Sequence, residues 1–388
     1  MLFVLSLLAF FAIALPDNML GVAWPFMRIT FNQPLPAMTL VLPFGVAATV
    51  ISASYWTYAA ARIGLGRLLA WSVASSAAAL LCCALAPGFW VIVASAVVFG
   101  LSAGAIDSAL NAHAARHFGP RRINQMHAAY GLGAATSPLI VTALISAGST
   151  WRWAYAVVMV MQAILAVSFA ATARHWDAAA YRPERSATTP AGSRASTTTP
   201  RWWQQRRALS GVLVVVVESG LESVVGLWAF VFLLEGLSLP ASIAGPTVSG
   251  YWVGIVVGRV LLGPVAERLG PWPVLAGVTT LAAVAAILLV LGQPALAVVG
   301  VVVLGLALAP VYPLLVLTTA ERTAAPAVDR LVGLQAAAST VGSVLFPTLI
   351  GVLMDASPAK AFAVGVLVLT LAAGGGIWVL GPGRRRPT

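Results

Sequence analysis

Four acidic residues stand inside apolar stretches of this sequence: Asp17, Asp107, Glu218 and Glu222. A carboxylate at the centre of a membrane-length apolar helix costs roughly 2.5–3.5 kcal/mol on insertion scales. Chains that keep such a residue normally turn it toward a wet cavity, where it moves a proton or binds a solute. The run from Gly100 to Pro138 concentrates the effect. Asp107 and Asn111 are four apart, so they share one face of a helix with Gly104 on the same stripe. A short basic turn (Arg116, His117, Arg121, Arg122) follows, and the next apolar segment carries Asn124, His127 and Tyr130. The hairpin reads as half of a proton or substrate pathway.

The elements that must position these residues are membrane helices. Of 388 residues, 60% are hydrophobic and 9% charged, against about 25% charged in a soluble domain. Apolar runs of about 20 residues recur along the chain, matching a hydrocarbon core roughly 30 Å thick. The pattern predicts an all-α polytopic membrane protein of twelve transmembrane helices. They are expected over 2–27, 35–61, 67–86, 88–116, 122–147, 151–174, 208–236, 243–267, 271–291, 294–320, 328–354 and 358–381. Ala12-Ile13-Ala14 resembles a signal-peptidase site, but the apolar pattern continues through Gly21 and Trp24, which favours a retained helix. Residues 175–207 are rich in Ser, Thr, Pro and Arg and read as a cytoplasmic linker. The expected domains are therefore a bundle over 1–174, the linker, and a bundle over 208–388.

The net charge of +11 does not point to nucleic acid, because of how it is distributed. If the helices alternate, Arg28, Arg152 and Lys360 fall on one side and Arg259 inside a helix, leaving eighteen of the 22 basic residues on the other side. That positive-inside bias places the C-terminus in the cytoplasm and the chain in a bacterial-type inner membrane. Cys82 and Cys83 are adjacent in an apolar helix and read as small buried hydrophobes. No Cys–His cluster implies a metal, and no cofactor is expected.

The two halves read as copies. Asp17, Gly21 and Trp24 in helix 1 correspond to Glu222, Gly226 and Trp228 in helix 7. Gly100 and Asp107 in helix 4 match Gly305 and Tyr312 in helix 10, and Gly133 and Pro138 in helix 5 match Gly342 and Pro347 in helix 11. A parallel six-plus-six repeat is one of the arrangements used by secondary transporters.

Over its full length the sequence resembles the major facilitator superfamily, and more narrowly its fucose-permease-like branch of sugar:proton symporters. The residues that carry this are Asp17-x-x-x-Gly21-x-x-Trp24-Pro25, Asp107-x-x-x-Asn111, and Asn124-x-x-His127-x-x-Tyr130-Gly131. Further along are Glu218-x-x-x-Glu222-x-x-x-Gly226-x-Trp228, Tyr251-Trp252 through Arg268-x-Gly270, and Ala309-Pro310-x-Tyr312-Pro313. The turn Ala61-Arg62-Ile63-Gly64-Leu65-Gly66-Arg67 departs from the superfamily motif in lacking its acidic residue. The resemblance implies two six-helix bundles (the major facilitator fold), with the first helix of each three-helix unit lining a central cavity and the third facing lipid. It also implies that Asp17 and Asp107 handle the proton and bind sugar; a structural carboxylate between helices is the alternative.

Chemistry assigns the remaining expectations. Glu218 and Glu222 are like charges at i, i+4. Arg259, about two turns inside helix 8, is expected to neutralise Glu218 as a structural ion pair, which leaves Glu222 as a third proton-coupling candidate. Asn111, Asn124, His127, Tyr130 and Gln335 offer hydrogen bonds to sugar hydroxyls, and His127 also titrates near neutrality. Trp24, Trp228, Tyr251 and Tyr312 offer apolar faces for stacking, although packing and interface roles compete for each. The absence of a Walker lysine or any nucleophile–base constellation excludes ATP-driven transport on this chain and enzymatic catalysis. The expected function is proton-coupled symport of a small neutral solute, a monosaccharide first. The rival is proton-driven export of cationic or amphipathic drugs; a non-transporting scaffold would have no use for four membrane carboxylates. The expected partners are the solute, protons and lipid, with the protein acting as a monomer.

Overall fold

The computed structural model describes residues 1–178, 202–323 and 325–381. The residues between Ala178 and Trp202, which hold most of the expected linker, lie outside the described residues. So does the arginine-rich C-terminal end.

Among the described residues, twelve helices long and apolar enough to span a membrane follow one another. They are α1 (Leu2–Thr30), α2 (Leu35–Ile63), α3 (Leu65–Ala84), α4 (Phe89–His117), α5 (Arg121–Ser146) and α6 (Trp151–Asp177). The second half holds α7 (Leu209–Gly236), α8 (Ala241–Leu269), α9 (Pro271–Val290), α10 (Pro294–Leu317), α11 (Arg330–Met354) and α12 (Pro358–Leu380). Several starts are set by proline in the first turn, where its missing N–H is no loss: Pro271, Pro294 and Pro358. α10 is broken after Leu308 and resumes at Val311, because Pro310 removes a ladder donor. Helix continues from Trp151 to Ala178 and starts again at Trp202, so both flanks of the expected linker are helical.

Six helices form each bundle, and the internal repeat is physical. In the first half α1 packs on α5, α2 on α4 and α3 on α6; in the second, α7 on α11, α8 on α10 and α9 on α12. The glycines that match between halves make equivalent close approaches. Gly100 of α4 abuts the carbonyl of Gly45 on α2, and Gly305 of α10 abuts that of Tyr251 on α8. Gly133 of α5 meets the carbonyl of Phe11 on α1, as Gly342 of α11 meets that of Val216 on α7. A side chain at any of these positions would push two backbones apart, and close backbone approach is what holds helices together in lipid. The turns after α2 and α8 also correspond: Gly64 (φ 90°) and Gly270 (φ 87°) both take a conformation that L side chains rarely adopt.

The α2–α3 turn recovers its missing acid from elsewhere. Asp177, at the end of α6, accepts a hydrogen bond from the Gly66 N–H at 3.0 Å, at the start of α3. At the other end of α3, Arg152 donates to the carbonyls of Ala84 (2.9 Å) and Ala86 (2.8 Å), a cation on a helix C-terminus. Large exposed apolar side chains lie on α3, α6, α9 and α12, including Trp71, Val167, Ile287 and Trp378. Exposed apolar side chains are equally common on α2, α8 and α11, such as Ile51, Val260 and Leu353, so lipid-facing surface is not confined to the third helix of each unit.

The bundles meet at one end of the molecule. Arg28 on α1 forms a bidentate pair with Glu235 at the end of α7, at 2.8 and 3.2 Å. Phe26 packs near Phe230, and Ser249 donates to the Ala135 carbonyl at 2.7 Å. Asp107, Asn124, His127 and Arg259 are exposed toward the other end, the terminal face, which carries the start of α1 and the end of α12. The molecule therefore opens toward the terminal face and is closed at the opposite one.

Candidate functional site

A cavity of about 430 Å³ lies between the bundles. Its walls come from α1, α2, α4 and α5, with Cys83 of α3 and Tyr155 of α6, on one side and from α7, α8 and α11 on the other. Asp17 is the one charged side chain among the described lining residues. Tyr130 projects from α5 and its hydroxyl donates to Asp17 Oδ2 at 3.5 Å, a long and weak contact. Pro16 and Gly21 flank this stretch of α1, and the Leu227 carbonyl of α7 lies where a Gly21 side chain would stand. The carboxylate therefore sits at the contact of the two bundles.

Nearer the open end, Asp107 accepts a hydrogen bond from Asn111 Nδ2 at 3.0 Å. It lies in the electrostatic field of His127, and Asp17 in the field of Asp107. The two halves of the hairpin thus come together as expected, and Asp17 joins them through Tyr130. Asn124 is exposed on α5 at the mouth.

Other expected residues are elsewhere. Trp24 is fully buried and donates its indole N–H to the Leu35 carbonyl at 2.9 Å. Trp228 is its counterpart in the repeat, fully buried and bound to the Pro347 carbonyl at 2.9 Å. Tyr251 is buried with its hydroxyl on the Glu222 carbonyl at 3.0 Å. Tyr312 packs against a C-terminal core cluster that includes Val214 and Leu275. None of these four lines the cavity, so the stacking role expected of them is corrected to packing: each polar tip or ring face is spent on a neighbouring helix. Gln335 is likewise buried, accepting from Thr319 Oγ1 at 3.1 Å. Beside it Arg322 donates to the Leu315 carbonyl at 2.7 Å, and burial pulls its guanidinium below the ordinary arginine value.

The expected ion pair also changes partner. Arg259 Nη2 stands 3.8 Å from Glu222 Oε1. Glu218 has one oxygen on Ser219 Oγ at 3.2 Å and the other, Oε1, buried without a hydrogen bond. Sequence reasoning missed the neutral polar lining: Asn18, Thr49, Ser223 and Ser343, together with Phe99 and Trp252. Trp252 stood in a quoted motif, but the small polar residues carry no signal, since Ser and Thr in membrane helices commonly bond their own backbone.

The model of the Major Facilitator Superfamily matches residues 6–347. This chain belongs to that superfamily. It is a transporter rather than an enzyme, a multi-pass membrane protein that moves small molecules. Its fold is similar to that of a mutant of the nucleoside transporter NupG, with TM-score 0.78 and 14% identity over 97% of this chain and 98% of that one. A bacterial homologue of the human lysosomal transporter Spinster, solved inward-facing and occupied, gives TM-score 0.71 and 13% identity over 98% and 94%. The peptide transporter POT with sulfate gives 0.70 and 15% over 98% and 94%. At these identities the likeness is one of fold. A Multidrug resistance protein B homolog from Mycobacterium tuberculosis is 33% identical over 130 residues, 32% of this superfamily member and 24% of that protein. The match thus spans about a quarter of the length of the curated relative.

Proposed function

We propose that this protein is a proton-coupled secondary transporter that carries a small neutral polyhydroxylated solute, a monosaccharide in size, by alternating access between its two bundles. The observation that carries the reading is the Asp17–Tyr130 pair on the wall of the inter-bundle cavity. A carboxylate beside a phenol, with Asn18 and Ser223 around the same space, provides donors and acceptors for hydroxyls, while Thr49 and Ser343, which donate to the Gly45 and Thr340 carbonyls, offer acceptor oxygens. The same carboxylate can take a proton when a bound solute excludes water. No base lines the described cavity wall, so an anionic solute would lack a counter-charge. Asp107, Asn111, Asn124 and His127 form the wet approach to this site, and Asp107 and His127 relay protons along it. The excess of arginine in loops at the terminal face argues that this face is cytoplasmic, in a bacterial-type inner membrane, so the cavity is open inward.

A second reading, proton-driven export of cationic or amphipathic drugs, is favoured by one observation: the cavity combines an acid with apolar side chains such as Leu20, Val46 and Phe99. The similarity to the multidrug-resistance relative supports it over the matched quarter of that protein.

One experiment separates them. Proteoliposomes would be challenged with a panel of neutral monosaccharides and, separately, with lipophilic cations, while internal pH is followed. Sugar-evoked proton entry that disappears in Asp17→Asn is the expected result. Proton movement evoked by the cations alone would replace the symporter with the exporter.

A further inference from the structure

Glu218 is a membrane-embedded carboxyl group that the proposed mechanism leaves unused, and it is 1% exposed. Its Oε2 accepts from the adjacent Ser219 Oγ at 3.2 Å, while Oε1 is buried with no hydrogen-bond partner. An ionised carboxylate in that condition would carry an uncompensated charge in a low-dielectric interior. A protonated acid would not, so the geometry describes a neutral side chain. One turn along α7, Glu222 is partly exposed and faces Arg259 Nη2 at 3.8 Å, too far for a hydrogen bond but close enough for ionic attraction. Arg259 exposes half of its side chain, and both carboxyl groups lie in its field. Its long stem can therefore serve either acid.

Asp17 stands on α1, which also packs on α7, Tyr130 of α5 shares the field of Glu222, and Arg322 reaches α7 two turns away at Gly211; the other groups around Glu218 are few. On α7 there is Glu222, and on α8 there are Arg259 and Tyr251, whose hydroxyl is held by the Glu222 carbonyl. α11 packs on α7 through Gly342 and Phe346 and has no ionisable residue after Arg330. The only ionisable side chain of α10 is Tyr312, and of α12 Lys360, at its far end. One arginine thus stands between two acids.

We infer that Glu218 carries a coupled proton and that Arg259 switches from Glu222 to Glu218 when that proton leaves. Breaking the carboxyl O–H bond sends the proton to water at the partly exposed Glu222 level. The carboxylate left behind is neutralised by the guanidinium, and Glu222 is released into the wet approach. The net charge of the C-terminal bundle falls by one, and the carboxylate left without a cation is the partly exposed Glu222 rather than the buried Glu218. The inference rests on the proton-coupled reading above and adds a second proton carrier to Asp17.

Infrared difference spectroscopy on the membrane-embedded full chain tests the switch without a solute. Wild type minus Glu218→Gln should contain the carbonyl stretch of one protonated carboxylic acid at neutral pH. In Arg259→Gln that band should persist to a pH higher by at least one unit, since the deprotonated form has lost its partner. A missing band at neutral pH, or an unshifted one in Arg259→Gln, would overturn the inference whatever the protein transports. In proteoliposomes given the monosaccharide panel, Glu218→Gln should retain solute exchange and lose accumulation driven by a proton gradient at least tenfold. Gradient-driven accumulation persisting in Glu218→Gln would also overturn it. A wild type that moves protons with no member of either panel would instead overturn the transport reading, and the band would still decide the switch.

Discussion

At the scale of residues, chemistry that looks available in the sequence is often already committed. Trp24 and Trp228 occupy matching positions in the two halves, and each gives its indole N–H to a backbone carbonyl across a helix boundary. Replacing Trp228 by Phe keeps most of the packing but loses the indole hydrogen bond to the Pro347 carbonyl, which still accepts within its own helix, at a cost of about 0.5–1.5 kcal/mol. Trp24→Ala should cost about 3–5 kcal/mol as a cavity opens in the core. Thermal unfolding in detergent should show both losses, with the larger shift for Trp24→Ala. Solute affinity of Trp228→Phe should stay within twofold, because the ring does not reach the cavity. Tyr130→Phe is the opposite case. It removes a weak, cavity-facing donor, so stability should barely move while solute-evoked proton entry falls about tenfold or more in the same vesicle assay.

At the scale of elements, glycine positions decide how the helices dock. A methyl group on Gly305 would collide with the Tyr251 carbonyl, and one on Gly342 with that of Val216. Overpacking of this kind costs about 1–3 kcal/mol, so Gly305→Ala and Gly342→Ala should lower the unfolding temperature by several degrees. Gly277, on the outward-facing α9, has open space where a side chain would stand, and Gly277→Ala should be neutral in the same assay. The Gly64 turn shows the same logic with charge. Asp177 supplies from α6 the acid that the turn lacks in its own sequence, and Asp177→Ala would leave the Gly66 N–H unpaired. The loss should be about 0.5–2 kcal/mol, as for a helix N-cap.

At the scale of the whole molecule, the question is which face is shut and what shuts it. Among the described residues, Arg28–Glu235 is the ion pair that joins the bundles, at the end away from the opening. Both side chains are about a quarter exposed, and the bidentate geometry puts its worth near the upper limit for such pairs, about 1 kcal/mol. Arg28→Gln should therefore shift the equilibrium between the two open states about fivefold toward opening at this end. Pulsed electron-spin distance measurements between labels at Thr30 and Ser238, with the native cysteines replaced, should show the longer-distance population grow. An unchanged distribution would mean that the apolar contacts beside the pair hold the face shut alone.

Much of this architecture is legible in the one-dimensional pattern because lipid imposes it locally. Each span must satisfy its own backbone and be long and apolar enough to cross, so twelve helices, their order and the six-plus-six repeat follow from residue types and spacing. The membrane acids stand out for the same reason, as costly exceptions to an apolar rule. Periodicity gives a face relative to a helix's own axis, and it does not give the rotation of that helix against its neighbours. That rotation is fixed by close contacts such as Gly100 on Gly45 and Gly133 on Phe11, between residues far apart in the chain. Tertiary structure alone therefore turned Asp17 and Tyr130 into the cavity, turned Trp24, Trp228 and Tyr251 away from it, and gave Arg259 to Glu222 while leaving Glu218 buried without a cation.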